Sequence, residues 1–314
     1  MADIVCGIHT IDTAFQRDHF DAAYLMVENG RGAFIDSGTS LSLPRHLETL
    51  DKAGLTPADV DWVILTHAHL DHAGGAGALM QVLPNARLAA HPRCAPHMID
   101  PIRLIAGATA VYGAEEIARS YGEIVPVPAA RVEVMADGQV IELAGRPLRC
   151  VDMPGHARHH LCVWDEASRS WFTGDTFGLS YREFDSPRGH FALPSTTPVQ
   201  LEPAALHASI DALVARRPQR MFVTHYGEVG GSTAQVERMA DDLHRLLDGM
   251  LAVARAAHGK PDRHARIVAG LSDLYVAAAI GHGVTLAEDA VRRLLALDVE
   301  LNTQGLEIWL DRRT

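Results

Sequence analysis

Residues 61–66 (DWVILT) run directly into residues 67–75 (HAHLDHAGG). The first stretch is apolar and too short for a buried helix, so it reads as a strand, and the second reads as a loop leaving that strand. Residues 67–72 hold three imidazoles and a carboxylate, His67, His69, Asp71 and His72. After a strand, alternate side chains of a loop can fan toward one point, whereas a continuous helix would scatter them around its axis. Neutral imidazole and carboxylate suit zinc, iron or manganese, and a ligand set without cysteine argues against a purely structural zinc site. The competing reading is a polar loop whose histidines cap backbone groups. The four closely spaced donors favour metal.

Three further positions share this grammar of a polar residue at the end of an apolar strand. Val151-Asp152-Met153-Pro154-Gly155-His156 ends in His156, Trp171-Phe172-Thr173-Gly174-Asp175 in Asp175, and Met221-Phe222-Val223-Thr224-His225 in His225. Loops beyond strand ends are where sites collect on sheet scaffolds. Singly, each is an ordinary strand-end residue. Together with residues 67–72 they make a ligand set.

Outward from these motifs, residues 4–9 and 22–28 read as strands, with Asn29-Gly30 turning the second into residues 32–36. Asp36-Ser37-Gly38 leaves the sheet by a tight turn. Residues 41–53 read as a helix with Ser42 as its N-cap and Pro44 in its first turn. A helix is expected up to Val82, and two more between Pro92 and Gly122. Strands are expected at 139–143, 148–153, 161–165, 171–173 and 220–224, with a helix at 201–216. From Ser232 onward apolar residues recur at helical spacing: Val236, Ala240, Leu243, Leu247, Met250 and Ala254. The expected organisation is a catalytic domain over 1–231, carrying a helical insert at about 92–122, and a helical extension over 232–314.

Composition narrows the function. The 314 residues carry 28 Lys and Arg against 39 Asp and Glu, a formal charge of −11. Polyanion binding requires clustered cations, so nucleic acid is not an expected partner. No stretch approaches the ~18–20 apolar residues of a membrane span, so no membrane partner is expected either. Cys6, Cys94, Cys150 and Cys162 show no CxxC spacing and read as reduced, small apolar residues. The first residues lack a basic stretch ahead of an apolar one, and a cytoplasmic protein is the expectation.

The ordered set HxHxDH, PGH, GD and TH resembles the ligand order of the metallo-β-lactamase-fold metallohydrolases, over roughly residues 4–230. The resemblance implies an α+β fold, a four-layer αββα sandwich of two mixed β-sheets, here with a helical C-terminal appendage. It implies two divalent metal ions, zinc with iron or manganese as alternatives. His67, His69 and His156 would hold one, Asp71, His72 and His225 the other, and Asp175 would bridge them. A metal-bridging hydroxide would then attack an ester, thioester, lactone or amide of a small, anionic metabolite, with Asp71 and Asp175 as the catalytic carboxylates. Asp36 matches the family's IDSG turn and reads as support for the ligands. The alternative within the fold is a di-iron redox protein, but that branch places Glu where His69 stands. A nuclease of this fold is disfavoured by the charge. The lactonase branch has Tyr three residues after the bridging Asp, where this chain has Gly178.

Residues 176–194 follow Asp175 and are expected over the site. Tyr181 is the candidate oxyanion donor, with a packed aromatic whose hydroxyl bonds to backbone as the competing reading. Arg182 and Arg188 are candidates for binding an anionic substrate group, with local salt bridges as the competing reading. His159 and His160 read either as orienting a ligand or as solvated. The histidines of the tail carry no spacing signal. The insert, with Met98, Ile99, Ile102, Leu104 and Ile105, reads as packing on the body, walling the cleft or forming a homodimer surface.

Overall fold

The computed structural model describes residues 5–196 and 199–312. Ile4, where the first strand was expected to begin, lies outside the described residues. Strands β1 (Ile8–Asp12), β2 (Ala22–Glu28) and β3 (Arg31–Ile35) form an antiparallel meander, turned between β2 and β3 at Asn29-Gly30. The sheet continues in parallel through β4 (Val60–Ile64), β5 (Arg87–Ala90) and β6 (Val132–Val134). Parallel neighbours need crossovers. These are α1 (Leu43–Lys52), then α2 (Leu70–Ala73) with α3 (Ala76–Val82), then α4 (Ala95–Ile99), α5 (Ile102–Tyr112) and α6 (Ala114–Tyr121). Strands β7 (Val140–Leu143), β8 (Arg146–Asp152), β9 (Leu161–Asp165) and β10 (Ser170–Gly174) pair antiparallel in sequence. After α7 (Pro203–Ala215) come β11 (Arg220–Val223) and β12 (Gly227–Gly230), then α8 (Thr233–Ala257), α9 (Arg263–His282), α10 (Glu288–Leu294) and α11 (Ala296–Asp311). The strands form two six-stranded sheets, ordered β1-β2-β3-β4-β5-β6 and β12-β11-β10-β9-β8-β7.

Several expectations shift. The first strand starts at Ile8, because Cys6 takes a left-handed turn conformation (φ 51°) and Val5 instead bridges back to Ile8. The insert is three helices, since Pro101 and Gly113 each interrupt it. Residues 70–73 are not loop: they are a helical turn, which begins as soon as His69 has left the strand. Strands β5, β6 and β12 carry only three or four residues each and no alternation long enough to mark them in the sequence.

The chain divides into two compact units. The first comprises the chain up to Asp152, His159–Gly174 and Thr224–Glu228. Its main core lies between the first sheet and its crossover helices, with Phe34, Val63, Leu65 and Leu88 packed against Leu50, Leu79 and Met80. Burying a side chain of this size contributes about 1.5–3 kcal/mol. Within this unit the two strand layers meet through Tyr24 and Phe172, whose ring centroids are 5.3 Å apart edge to face. Buried Arg146 on β8 adds a bidentate pair with Asp165 and donates to the Cys6 carbonyl at 2.8 Å.

The second unit comprises Met153–Arg158, Asp175–Val223 and the chain from Val229 on. Its core is helical: Leu206, Ile210 and Leu213 of α7, Leu243, Leu247 and Met250 of α8, Ile267, Leu271 and Tyr275 of α9, and Leu306 of α11 are all buried. The apolar stripe read in residues 236–254 thus faces a core. No helix among the described residues is long and apolar enough to cross a membrane.

Candidate metal centre

In the first unit the ligand candidates are arranged around one carboxylate. Asp36 follows β3 in a left-handed conformation (φ 57°), which aspartate tolerates better than most residues. Its Oδ1 accepts the Thr66 N–H at 2.8 Å, and its Oδ2 accepts the Thr66 hydroxyl, also at 2.8 Å. With that proton given to Asp36, Thr66 Oγ1 accepts from His67 Nδ1 at 3.1 Å, so His67 keeps its Nε2 lone pair for a cation. His72 Nδ1 donates to Asp36 Oδ2 at 3.1 Å. Thr224, beside His225, donates its hydroxyl to the same oxygen at 3.4 Å. His225 Nδ1 donates to the Phe20 carbonyl at 2.9 Å. Holding one ring nitrogen on an acceptor fixes the tautomer and the orientation of the other, the usual support of a metal-binding imidazole.

Asp71, His72 and His225 each bring a ligand atom within 4.8 Å of the others. The Asp71 carboxylate lies 3.8 Å from His72 Nε2 and 3.6 Å from His225 Nε2. Burial alone would push the Asp71 carboxyl up, but His72 and His225 outweigh it and hold the group well below the usual carboxylate range. His67 Nε2 and His69 Nδ1 face each other at 2.8 Å. Two imidazole nitrogens meeting in this way suit a shared cation.

Two residues that read as solvated or orienting are in fact packed. His160 is fully buried and stacks on His67 at 4.6 Å. His159 Nδ1 accepts the Ala68 N–H at 3.3 Å. Gly174 belongs beside them, because a Cβ there would stand 2.6 Å from His160 Nε2 and 2.8 Å from Thr66 Oγ1. Sequence reading missed Asp21. It is fully buried, its Oδ2 accepts from Thr13, and burial raises its carboxyl to about 7 against the pull of His225 and His72. Nothing in its flanking sequence, Phe20-Asp21-Ala22, marks it.

In the second unit His156 Nε2 lies 3.3 Å from Asp175 Oδ2, while His156 Nδ1 donates to the Ser195 carbonyl at 3.0 Å. The Pro154-Gly155 turn is seated on α7: the Gly155 carbonyl accepts the Glu202 N–H, and the Pro154 carbonyl accepts the Ser209 hydroxyl. Residues 194–196 are held in turn by Asn302 of α11. Its Oδ1 accepts the Thr196 N–H at 2.8 Å and its Nδ2 donates to the Pro194 carbonyl at 3.2 Å. The C-terminal helix therefore fixes the carbonyl that orients His156. Sequence reading missed Asn302 as well, because the partners lie more than a hundred residues away.

The three substrate candidates each have a partner within the second unit. The Tyr181 hydroxyl, the candidate oxyanion donor, is buried and donates to Asp298 on α11 at 3.1 Å. Arg182 pairs with Asp185 at 3.7 Å, the local bridge that was the competing reading. Arg188 donates to the Gly281 carbonyl in the last turn of α9 at 2.6 Å, where a cation also suits the helix dipole.

Residues 18–242 match the profile of the metallo-beta-lactamase superfamily. The chain belongs to the metallo-β-lactamase superfamily. Its α+β fold, two sheets with helices and a helical C-terminal region, is that family's sandwich. Among curated relatives it is 28% identical to a hydroxyacylglutathione hydrolase of Acidiphilium cryptum, over 76% of this chain and 74% of that protein. It is 31% identical to an atrochrysone carboxyl ACP thioesterase of Aspergillus fumigatus over 37% of this chain; that match spans only 27% of the thioesterase's length. A solved structure of a metallo-β-lactamase family protein from Thermus thermophilus superposes with a TM-score of 0.69 at 19% identity, covering 99% of this chain and 95% of that one. An archaeal superfamily member from Sulfolobus tokodaii gives 0.65 at 22% identity, over 96% and 98%. These two structures speak for the fold alone. The donor set suits the metal chemistry typical of metallo-β-lactamase superfamily proteins: imidazoles and carboxylates, with four of the five histidines anchored through Nδ1.

Proposed function

We propose that the chain is a dinuclear metal-dependent hydrolase of acyl thioesters, with esters, lactones and amides of small anionic metabolites as chemically related substrates. In this reading His67, His69 and His156 hold one divalent ion and Asp71, His72 and His225 the other, with Asp175 shared between them. Zinc is the proposed metal. The observation that carries the reading is the anchoring of His67 and His72 through one carboxylate, Asp36, which presents both Nε2 atoms as cation ligands. The hydrolase and thioesterase relatives support the thioester.

When bound, two divalent ions supply an activated water near neutral pH and a Lewis acid for the acyl oxygen. The protein's part is orientation. Asp71, held ionised by His72 and His225, would present a carboxylate able to accept a hydrogen bond from an attacking water. His156 is held against rotation by Ser195, and Asp175 beside it would offer the carboxylate shared between the ions.

The test is turnover of a zinc-reconstituted preparation across thioesters, esters, lactones, phosphodiesters and β-lactams. Thioesters should be cleaved fastest, a chelator should abolish turnover, and His69→Ala and Asp175→Ala should each abolish it while circular dichroism stays unchanged. Near-full turnover in either variant would refute the ligand assignment, and preference for phosphodiesters would refute the substrate class.

A further inference from the structure

On either side of the His225 motif, two helices of the second unit carry one shared spacing. His207 and Asp211 lie one turn apart on α7, and His244 and Asp248 one turn apart on α8. The helices pair these residues crosswise. His207 Nε2 lies 3.3 Å from Asp248 Oδ1, and His244 Nε2 lies 3.0 Å from Asp211 Oδ1. The ring centroids lie 4.9 Å apart with the planes only 16° from parallel, so the rings meet edge to edge. Their Nδ1 atoms face each other at 2.6 Å.

The hydrogen-bond arithmetic of this arrangement is unusual. An anionic carboxylate only accepts, so each Nε2 is a donor. In a neutral imidazole the other nitrogen then carries a lone pair. Two lone pairs 2.6 Å apart repel unless a proton or a metal ion lies between them, so the pair either shares one proton or is placed to take up a metal. A carboxylate on the far nitrogen of each ring is also the pattern that orients metal-binding imidazoles and raises their basicity. We propose that His207 and His244 bind one divalent transition-metal ion through their facing Nδ1 atoms, clamping α7 to α8, with Asp211 and Asp248 orienting the two rings and water completing the coordination.

Zinc–nitrogen bonds of about 2.0–2.1 Å at a tetrahedral angle put two nitrogens about 3.3 Å apart, so the rings must part by about 0.7 Å. Both side chains are about a quarter exposed, 27% and 25%, which leaves them room to rotate and an ion access from solvent. Paired imidazoles select zinc, nickel or copper over magnesium or calcium. A site of two protein ligands should bind more weakly than the histidine- and aspartate-rich centre described above. This clamp does not rest on the hydrolase reading.

The experiment uses the full chain, stripped with chelator and titrated with Zn²⁺ against a chromogenic competitor. Wild type should take up one more equivalent than the His207→Gln, His244→Gln double variant. Only wild type should gain thermal stability on that last equivalent. Asp211→Asn should keep the extra equivalent but weaken it by about 10-fold or more. Equal stoichiometry and equal thermal response in wild type and double variant would overturn the proposal, and so would an unweakened ion in Asp211→Asn. Should the double variant not fold, paramagnetic Ni²⁺ added to wild type loaded with all but its last zinc equivalent decides. Line broadening centred on residues 207–211 and 244–248 is expected, and broadening elsewhere, or none, overturns the clamp.

Discussion

Asp36 and Thr66 are joined by a backbone and a hydroxyl hydrogen bond, each of 2.8 Å, and through that pair the end of β3 sets the rotamer of His67 at the end of β4. The same carboxylate holds His72 and touches Thr224 next to His225. One carboxylate thus ties together the two segments, 66–72 and 224–225, that carry candidate ligands in the first unit.

Asp36→Asn keeps the size of the side chain and tolerates the left-handed backbone, but replaces an acceptor oxygen by a donor amide. Facing the Thr66 hydroxyl and His72 Nδ1–H, it can satisfy only some of these donors. Metal affinity should fall by about 10–100-fold, with turnover falling in step, while the fold persists. Metal competition and circular dichroism on the same preparation check both parts. Unchanged affinity would show that Asp36 does not orient the ligands.

Asn302→Ala removes the acceptor for Thr196 and the donor to Pro194, releasing the segment whose Ser195 carbonyl orients His156. Leaving buried polar groups unmatched should cost about 1–3 kcal/mol, read by denaturant unfolding. Affinity for the first metal equivalents should drop as well, although α11 supplies no ligand. A loss of stability with full metal affinity would confine Asn302 to a structural role.

Gly155→Ala should be more damaging than its size suggests. Gly155 has φ 130°, and a Cβ there would stand 2.3 Å from the backbone of Leu206 on α7. Backbone cannot rotate aside, so strain and overpacking add to on the order of 3 kcal/mol or more. A lowered unfolding midpoint and poor recovery of metal-loaded protein are expected. Wild-type stability in this variant would mean that the turn sits off α7.

Acid sensitivity should centre in part on Arg146 and Asp165. Burial by itself would raise the Asp165 carboxyl, but Arg146 and Ser168 hold it below its ordinary value of 3.8. A depressed folded-state value contributes stability that is present above the unfolded-state value and is lost as pH falls below about 4, through the lower folded value. Asp165→Asn should therefore cost about 3–5 kcal/mol near neutrality, since it strands a buried guanidinium. Its deficit should shrink at lower pH, as wild type loses the same pair. Parallel wild-type and variant curves from pH 7 to 3 would contradict this.

His67, His69, Asp71 and His72 could be picked out as candidate ligands because donors near a strand end are local: their spacing is written along the chain, whatever surrounds it. The same holds for His156, Asp175 and His225, each announced by its own strand. Most long strands and helices were readable for a similar reason, since their apolar periods span whole elements. What only the tertiary structure decided is which acceptor holds each imidazole. Asp36 meets His72 across 36 residues, Phe20 meets His225 across 205 and Asn302 meets Thr196 across 106, and no period or motif encodes such pairings. Tyr181 shows the same limit: its position after Asp175 made it a candidate oxyanion donor or a packed aromatic, and only the tertiary structure shows its hydroxyl donating to Asp298. Donor type and order follow from covalent sequence, whereas orientation follows from hydrogen bonds between segments that meet only when the chain folds.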